Sequence, residues 1–299
     1  MDCKYLDPQL KALFCFGDQQ IFLPHVYRWC RRRRIPFVAY VGTAHSLDSN
    51  FKSKVMNALF AAGTLRIYKK NPVLAKTSAA KEELRQLGVP HAVIAPVGLD
   101  TAVLKKNIPA DEKMRLRKEH GFEADDVILC NVSRLSWEKR PLELIDLFLQ
   151  VKGKKKFKLI IVGNGPLEEE LNEKIRKNGL EKEVKIYPNV PYEKMWEIYE
   201  MSDYYLNMNK GEIFGMAIME AVYYKTSVAA IRALGPSVTL KDMKGHKLCE
   251  NDDEMAEWIT GPYPSEKDLQ ESSEKMAATF TWDRCADAFL QASSEKSSR

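Results

Sequence analysis

The feature that most constrains this chain is an alternation: short apolar runs and segments of helical period follow one another along almost its whole length. That is the sequence form of a parallel sheet with helices on its faces. Strands are expected at 12–16, 37–41, 69–74 and 92–97, then at 127–132, 158–162, 184–187, 204–207 and 227–231. Helices are expected from Phe22 to the arginines that end at Arg34, over 79–87, 111–120, 141–152, 167–178 and 194–201, from near Phe214, and over 268–279 and 283–292. Ser78 opens the 79–87 helix and Gly88 stops it. Residues 101–125 turn polar and charged, which marks a boundary. The division is a first domain over 1–105, a linker over 106–125, a second domain over 126–280, and a final helix and tail over 281–299.

Composition limits the function classes. With 299 residues, 45% of them hydrophobic, the chain can bury the cores of two α/β domains. It has no uninterrupted apolar stretch of ~18 residues, so no transmembrane helix is expected. Its start, MDCKYLDPQLK, has no apolar core behind a basic head and does not read as a signal peptide. The 6 cysteines form no C-x-x-C pair, which argues against a zinc site or a disulfide framework and for reduced thiols in the cytoplasm.

The net charge of +5 is unevenly placed. Arg28 and Arg31 to Arg34 form one cluster, and Lys152, Lys154, Lys155, Lys156 and Lys158 another. Cations at a helix C-terminus suit its dipole. No RNA-binding signature accompanies them, so no nucleic-acid partner is expected. The first cluster, with Phe22, Val26 and Trp29 as an apolar side, gives the expectation of peripheral attachment to an anionic membrane surface. The location expected is cytoplasmic, at the inner face of the membrane.

Three stretches carry chemistry. In EIFGMAIMEA, Glu212 lies in a loop and Glu220 about two turns inside an otherwise apolar helix. The backbone N–H groups of Phe214, Gly215 and Met216 belong to the start of that helix, where free amides and the dipole favour a phosphate. Glu212 can accept hydrogen bonds from sugar hydroxyls, and Glu220 can hold a ribose diol. In SRLSWEKRP, directly after a strand, Arg134 and Lys139 place two cations at the carboxyl end of the sheet, a diphosphate site. In VGNGPL, Gly163 and Gly165 read as a tight strand-to-helix turn; a dinucleotide fingerprint would need Gly where Glu168 stands, which argues against an oxidoreductase.

The ordered set SRLSWEKRP, LIIVGNGP, YPNVP and EIFGMAIMEA resembles the donor domain of family-four retaining glycosyltransferases with the GT-B fold. SAAKEELRQLGV followed by VIAPVGLD resembles the end of that family's N-terminal domain. IPFVAYVGTAH resembles the strand that carries its active-site histidine, and FTWD the last helix that crosses back to the first domain. The resemblance implies two Rossmann-like parallel-sheet domains facing across a cleft, the first one truncated. It implies that Arg134 and Lys139 grip the donor diphosphate, that Glu212 binds the transferred sugar and Glu220 the ribose, and that His45 sits beside the sugar. The sequence departs from the pattern in lacking the opening strand–helix units with their glycine-rich loop, in having Ser133 where Gly is common, and at Ala233-Leu234-Gly235-Pro236-Ser237, near which relatives carry paired glycines.

The function expected is transfer of a hexose from a nucleotide diphosphate sugar to a hydroxyl of a glycan or lipid-linked acceptor, with retention. No metal or other cofactor is expected, because no Asp-x-Asp lies at a strand end and the two cations can replace an ion electrostatically. The alternative from another class is a non-catalytic nucleotide-sugar-binding subunit or remnant that needs a partner chain. The small first sheet is expected to have its apolar edge covered by a second chain or by self-association.

Overall fold

The computed structural model describes residues 6–7, 9–16, 22–43 and 51–297. The chain divides into two compact units, Met1–Gly98 with Phe280–Arg299, and Leu99–Thr279. In the first unit β1 (Leu13–Phe16), β2 (Phe37–Val41), β3 (Val73–Ala75) and β4 (Val93–Ile94) lie in that order in one sheet, and every pair is parallel. β2 is buried throughout, which is why its sequence is an unbroken apolar run. On one face Leu23, Val26, Cys30, Tyr68 and Leu84 pack on Phe37 and Val73. On the other, the helix Trp282–Ser297 brings Cys285 and Ala292 against Val38, Tyr40 and Leu74. Gly98 makes that return possible: a Cβ there would lie 2.1 Å from the Trp282 nitrogen.

Several expectations shift here. The helix over 64–68 takes Lys69 and Lys70 into its closing hydrogen bonds, so the strand expected from 69 starts at Val73. The strand expected over 92–97 pairs only at Val93–Ile94. The helix expected from Phe22 is Leu23–Arg33, with Pro24 in its first turn, where the missing N–H has no partner to lose. Of its apolar side, Phe22 is exposed while the other two residues turn inward. Val26 is 2% exposed inside the unit's own core, and Trp29 packs against that core with the Arg33 guanidinium 4.6 Å above its ring. Arg31 to Arg34 remain exposed. Thr77, rather than Ser78, caps the next helix, accepting from Ala80 N at 3.0 Å.

The second unit holds β5 (Val127–Val132), β6 (Phe157–Val162), β7 (Val184–Tyr187), β8 (Tyr204–Asn207), β9 (Ser227–Ile231) and β10 (Lys247–Cys249). They form one parallel sheet in the order β10-β9-β8-β5-β6-β7. The chain moves outward from β5 to β7, then returns to the other side of β5 and moves outward again. The order therefore reverses between β5 and β8, and the loops leaving their carboxyl ends diverge around a crevice, the usual ligand position of such sheets.

Residues 106–125, expected as a linker, belong to this second unit. The helix Glu112–Glu119 inside them buries Leu116 and Arg117. The Arg117 guanidinium donates to Asp203 Oδ2 at 2.6 Å and to the carbonyls of Met201 and Asp126 at 2.9 and 3.1 Å. A buried cation needs such a full set of acceptors, and supplying it fixes the segment to the sheet. The polar composition that suggested a linker is that of a helix exposed on one side.

Candidate functional site

The loop after β5 carries Arg134 and Lys139, and it is held rigidly. Leu135 is fully buried, its N–H donates to the Asn164 carbonyl at 2.9 Å, and its carbonyl accepts from Leu167 N at 3.0 Å. The turn after β6 lies directly against it: a Cβ on Gly163 would sit 1.9 Å from the Ser133 carbonyl oxygen, and one on Gly165 2.4 Å from that of Leu135. Both glycines also have positive φ, so this turn serves to approach the neighbouring loop closely. At its far end Arg140 donates to both oxygens of Asp252, at 3.1 and 2.9 Å, and to the Met208 carbonyl at 3.3 Å.

The loop after β8 carries Glu212, and the two loops meet. Lys139 Nζ donates to Glu212 Oε2 at 2.8 Å, with side chains 23% and 15% exposed. Asn209 Nδ2 donates to the same oxygen at 3.1 Å. Burial pushes the Glu212 carboxyl up, but the Lys139 hydrogen bond and charge, with the hydrogen bonds of Asn209 and Asn207, outweigh it and hold the group below the usual glutamate range. Glu212 is thus a fixed, charged acceptor. A groove of about 300 Å³ opens beside the pair, lined by Trp137, Glu138, Arg140, Asn209, Lys210 and Gly211.

Three residues past Glu212 the chain turns at Gly215, whose φ of 87° suits glycine, into the helix Met216–Tyr223. This helix has no side-chain cap and no acidic residue in its first turn. Its opening amides therefore keep the partial positive charge that attracts an anion. Phe214 is buried at 6% exposure, while Met216 lies at the surface. The segment at Gly235 supports the turn. Gly235 N donates to the Glu212 carbonyl at 2.8 Å, and a Cβ on Gly235 would lie 2.5 Å from Phe214 N. The departure noted at 233–237 therefore keeps one glycine where contact with the 212–214 backbone requires it.

Not every expected residue joins this arrangement. The Arg134 side chain is 71% exposed and pairs with Glu138 at 3.5 Å rather than with Glu212 among the described residues. Glu220 is 8% exposed, and its oxygens are taken by tyrosines: Tyr199 donates to Oε2 at 2.7 Å and Tyr192 to Oε1 at 3.5 Å. The cavity over it holds about 10 Å³, room for roughly one water. Tyr192, half exposed and weakly bonded, lines this same cavity. Burial raises the Glu220 pKa against the lowering effect of both hydroxyls. His45 lies outside the described residues. Asn207, Asn209, Tyr192 and Tyr199 were not singled out from the sequence. Asn209 had a signal, an Asn two residues before Gly after a strand, which favours a side-chain-closed turn; the tyrosines had none.

The chain has relatives among known proteins. The model of the family described as Glycosyl transferases group 1 matches residues 112–276. D-inositol 3-phosphate glycosyltransferase of Mycobacterium avium is 26% identical over 297 residues, covering 88% of this chain. The chain spans 65% of that relative's length. The structure of Anabaena Alr3699/HepE in complex with UDP matches 93% of this chain and 76% of its own, with a TM-score of 0.73 and 19% identity. Sucrose-phosphate synthase from Thermosynechococcus elongatus matches 93% and 72%, with a TM-score of 0.73 and 16% identity. These likenesses show the GT-B fold in two parallel-sheet α/β units. Because the family model matches more than half of the 299 residues, the chain belongs to the glycosyl transferases group 1 family.

Proposed function

We propose that the chain is a retaining hexosyltransferase that moves a hexose from a nucleotide diphosphate sugar to a hydroxyl of a glycan or lipid-linked acceptor. The observation that carries the reading is the Lys139–Glu212 pair, which joins the two loops of the switch point beside an uncapped helix N-terminus. In this reading Glu212 accepts hydrogen bonds from the sugar hydroxyls, and Lys139, Arg134 and the amides of Gly215 and Met216 take the diphosphate. The bond from the anomeric carbon to the diphosphate oxygen breaks, and its electron pair leaves on the diphosphate, where the cations and amides meet the developing charge. The acceptor oxygen bonds to the same face of the sugar, and its proton passes to the departing phosphate oxygen. These groups supply the charge that a metal ion supplies elsewhere, so the reaction proceeds without one. His45 takes its place beside the sugar by resemblance.

Alr3699/HepE, solved with UDP and with UDP-glucose, supports a uridine diphosphate hexose as donor. The M. avium relative, named for an inositol phosphate, supports a hydroxyl acceptor. The test is a thermal-shift series with nucleotide diphosphate sugars, followed by assay of nucleotide diphosphate release with and without chelator. A true donor at 100-fold its dissociation constant stabilises by about 2.7 kcal/mol. Stabilisation by none of the donors rejects the reading, and stabilisation without turnover replaces it by the non-catalytic binding role.

A further inference from the structure

Asn209 is 5% exposed, and a buried amide with unpaired groups is costly. Its hydrogen bonds all serve one loop. Its N–H donates to Asn207 Oδ1 at 3.0 Å, its Oδ1 accepts from Gly211 N at 2.9 Å, and its Nδ2 donates to Glu212 Oε2 at 3.1 Å. The orientation of the amide is determined by these partners: turning it over would set its NH2 against the Gly211 N–H and its oxygen against a carboxylate. Lys139 donates to that same Glu212 oxygen from the opposite loop. The carboxylate is therefore held from two sides, by a cation that a diphosphate can draw away and by a neutral amide that is tied to its own loop through Gly211, with Asn207 as a further partner.

We propose that Asn209 is the positioning residue of the transfer site: its side-chain amide holds the Glu212 carboxylate in place when Lys139 turns to the donor diphosphate. The inference rests on the proposed transferase reading. Without Asn209, the carboxylate keeps Lys139 and Asn207 but loses the one amide of its own loop, so it follows the lysine and loses its alignment with the sugar. The groups facing Glu212 are Lys139 from the loop after β5, Asn207 at the end of β8, Asn209 from its own loop, and the buried Tyr205 on β8.

The experiment compares the wild-type chain with Asn209→Asp and Asn209→Ser in steady-state kinetics against UDP-glucose, or whichever donor the thermal-shift series selects, across pH. Both variants keep an oxygen for Gly211 N, so the loop can still close. Asn209→Ser cannot reach Glu212, and its kcat is expected to fall by up to about 100-fold with donor KM changed far less. Asn209→Asp sets a carboxylate against Glu212, which disfavours its charged form, so the acid limb of its pH–rate profile is expected to move to higher pH as kcat falls. Circular dichroism and melting confirm that each variant is folded. Folded variants with wild-type kcat and an unmoved acid limb overturn the inference while the transferase reading stands. A wild-type chain that turns over no donor overturns both. If both variants unfold, Asn209→Gln decides: wild-type kcat in a folded Asn209→Gln, whose longer amide is displaced from Glu212, also overturns the inference.

Discussion

The two units solve the same problem, a parallel sheet with helices on its faces, with different completeness. The second has a long central strand with partners on both sides, and its carboxyl-end loops are braced against one another by Lys139–Glu212, Arg140–Asp252 and the close contacts of Gly163, Gly165 and Gly235. The first has a four-stranded sheet ending at one side in a strand of two residues, Val93–Ile94, both of them exposed. At its other side β1 borders an open apolar groove of about 420 Å³, lined by Leu6, Leu10, Leu13, Phe14, Phe16 and Phe22 among others. The comparison teaches that a site is built where loops from two strands can brace each other. The exposed Arg31 to Arg34 of the first unit have no such bracing from a second loop among the described residues.

The largest way to break the comparison is Arg117→Ala. It leaves Asp203 partly buried with only Lys113 as cation, and removing one partner of a buried pair costs about 3–5 kcal/mol. The second unit should melt earlier; an unchanged transition in calorimetry would contradict the role of Arg117 in fixing the 106–125 segment to the sheet.

Gly235→Ala comes next. Its Cβ would have to displace the backbone of Ile213 and Phe214, which lies within 2.7 Å. Overpacking of this kind costs about 1–3 kcal/mol, and donor binding should weaken with it. A crystal-quality, fully stable variant with parental donor affinity would show that the loop has slack.

Glu220→Gln tests the second pocket. Loss of charge-assisted bonds to a ribose diol should weaken donor binding by roughly 1.5–3 kcal/mol, readable by calorimetry. The pH dependence carries a sign. Because the folded pKa of Glu220 is raised above its unfolded value, its contribution to stability is fully present below about 4.5 and is lost as pH rises through the folded value. The variant should therefore lose part of the decline in stability over that range. An unaltered slope would mean that Tyr199 and Tyr192 compensate the burial fully.

The smallest effect is expected in the first unit. Phe16 is 47% exposed, but its ring meets Phe14, Tyr40 and the Lys76 ammonium, so Phe16→Lys should lower stability by about 0.5–1.5 kcal/mol. A lysine on an edge strand discourages pairing, so any association of the chain seen by light scattering should fall. Association that survives the change would place its interface elsewhere than β1.

What the sequence determined by itself is the class and order of elements and the types of residue at the site. β2, β5, β7, β8 and β9 begin and end at the expected residues, because strands covered by helices are built mainly of apolar residues, with Asn131 in β5 and Lys185 in β7 as polar exceptions inside them. The stretch between β9 and 267 gave no expected strand or helix, although it folds into the helix Leu234–Thr239, β10 and the helix Asp252–Thr260. Only Met255, Ala256 and Ile259 of that helix are buried, too short a stripe to stand out. Glu212, Lys139 and Glu220 were legible as residue types beside a helix start. That Lys139 meets Glu212 across 73 residues, and that two tyrosines occupy Glu220, was decided by the tertiary structure. Sequence spacing governs which groups share a helix or a turn, whereas partners on different loops are chosen by the order of strands in the sheet, which places β8 beside β5 although β6 and β7 intervene along the chain.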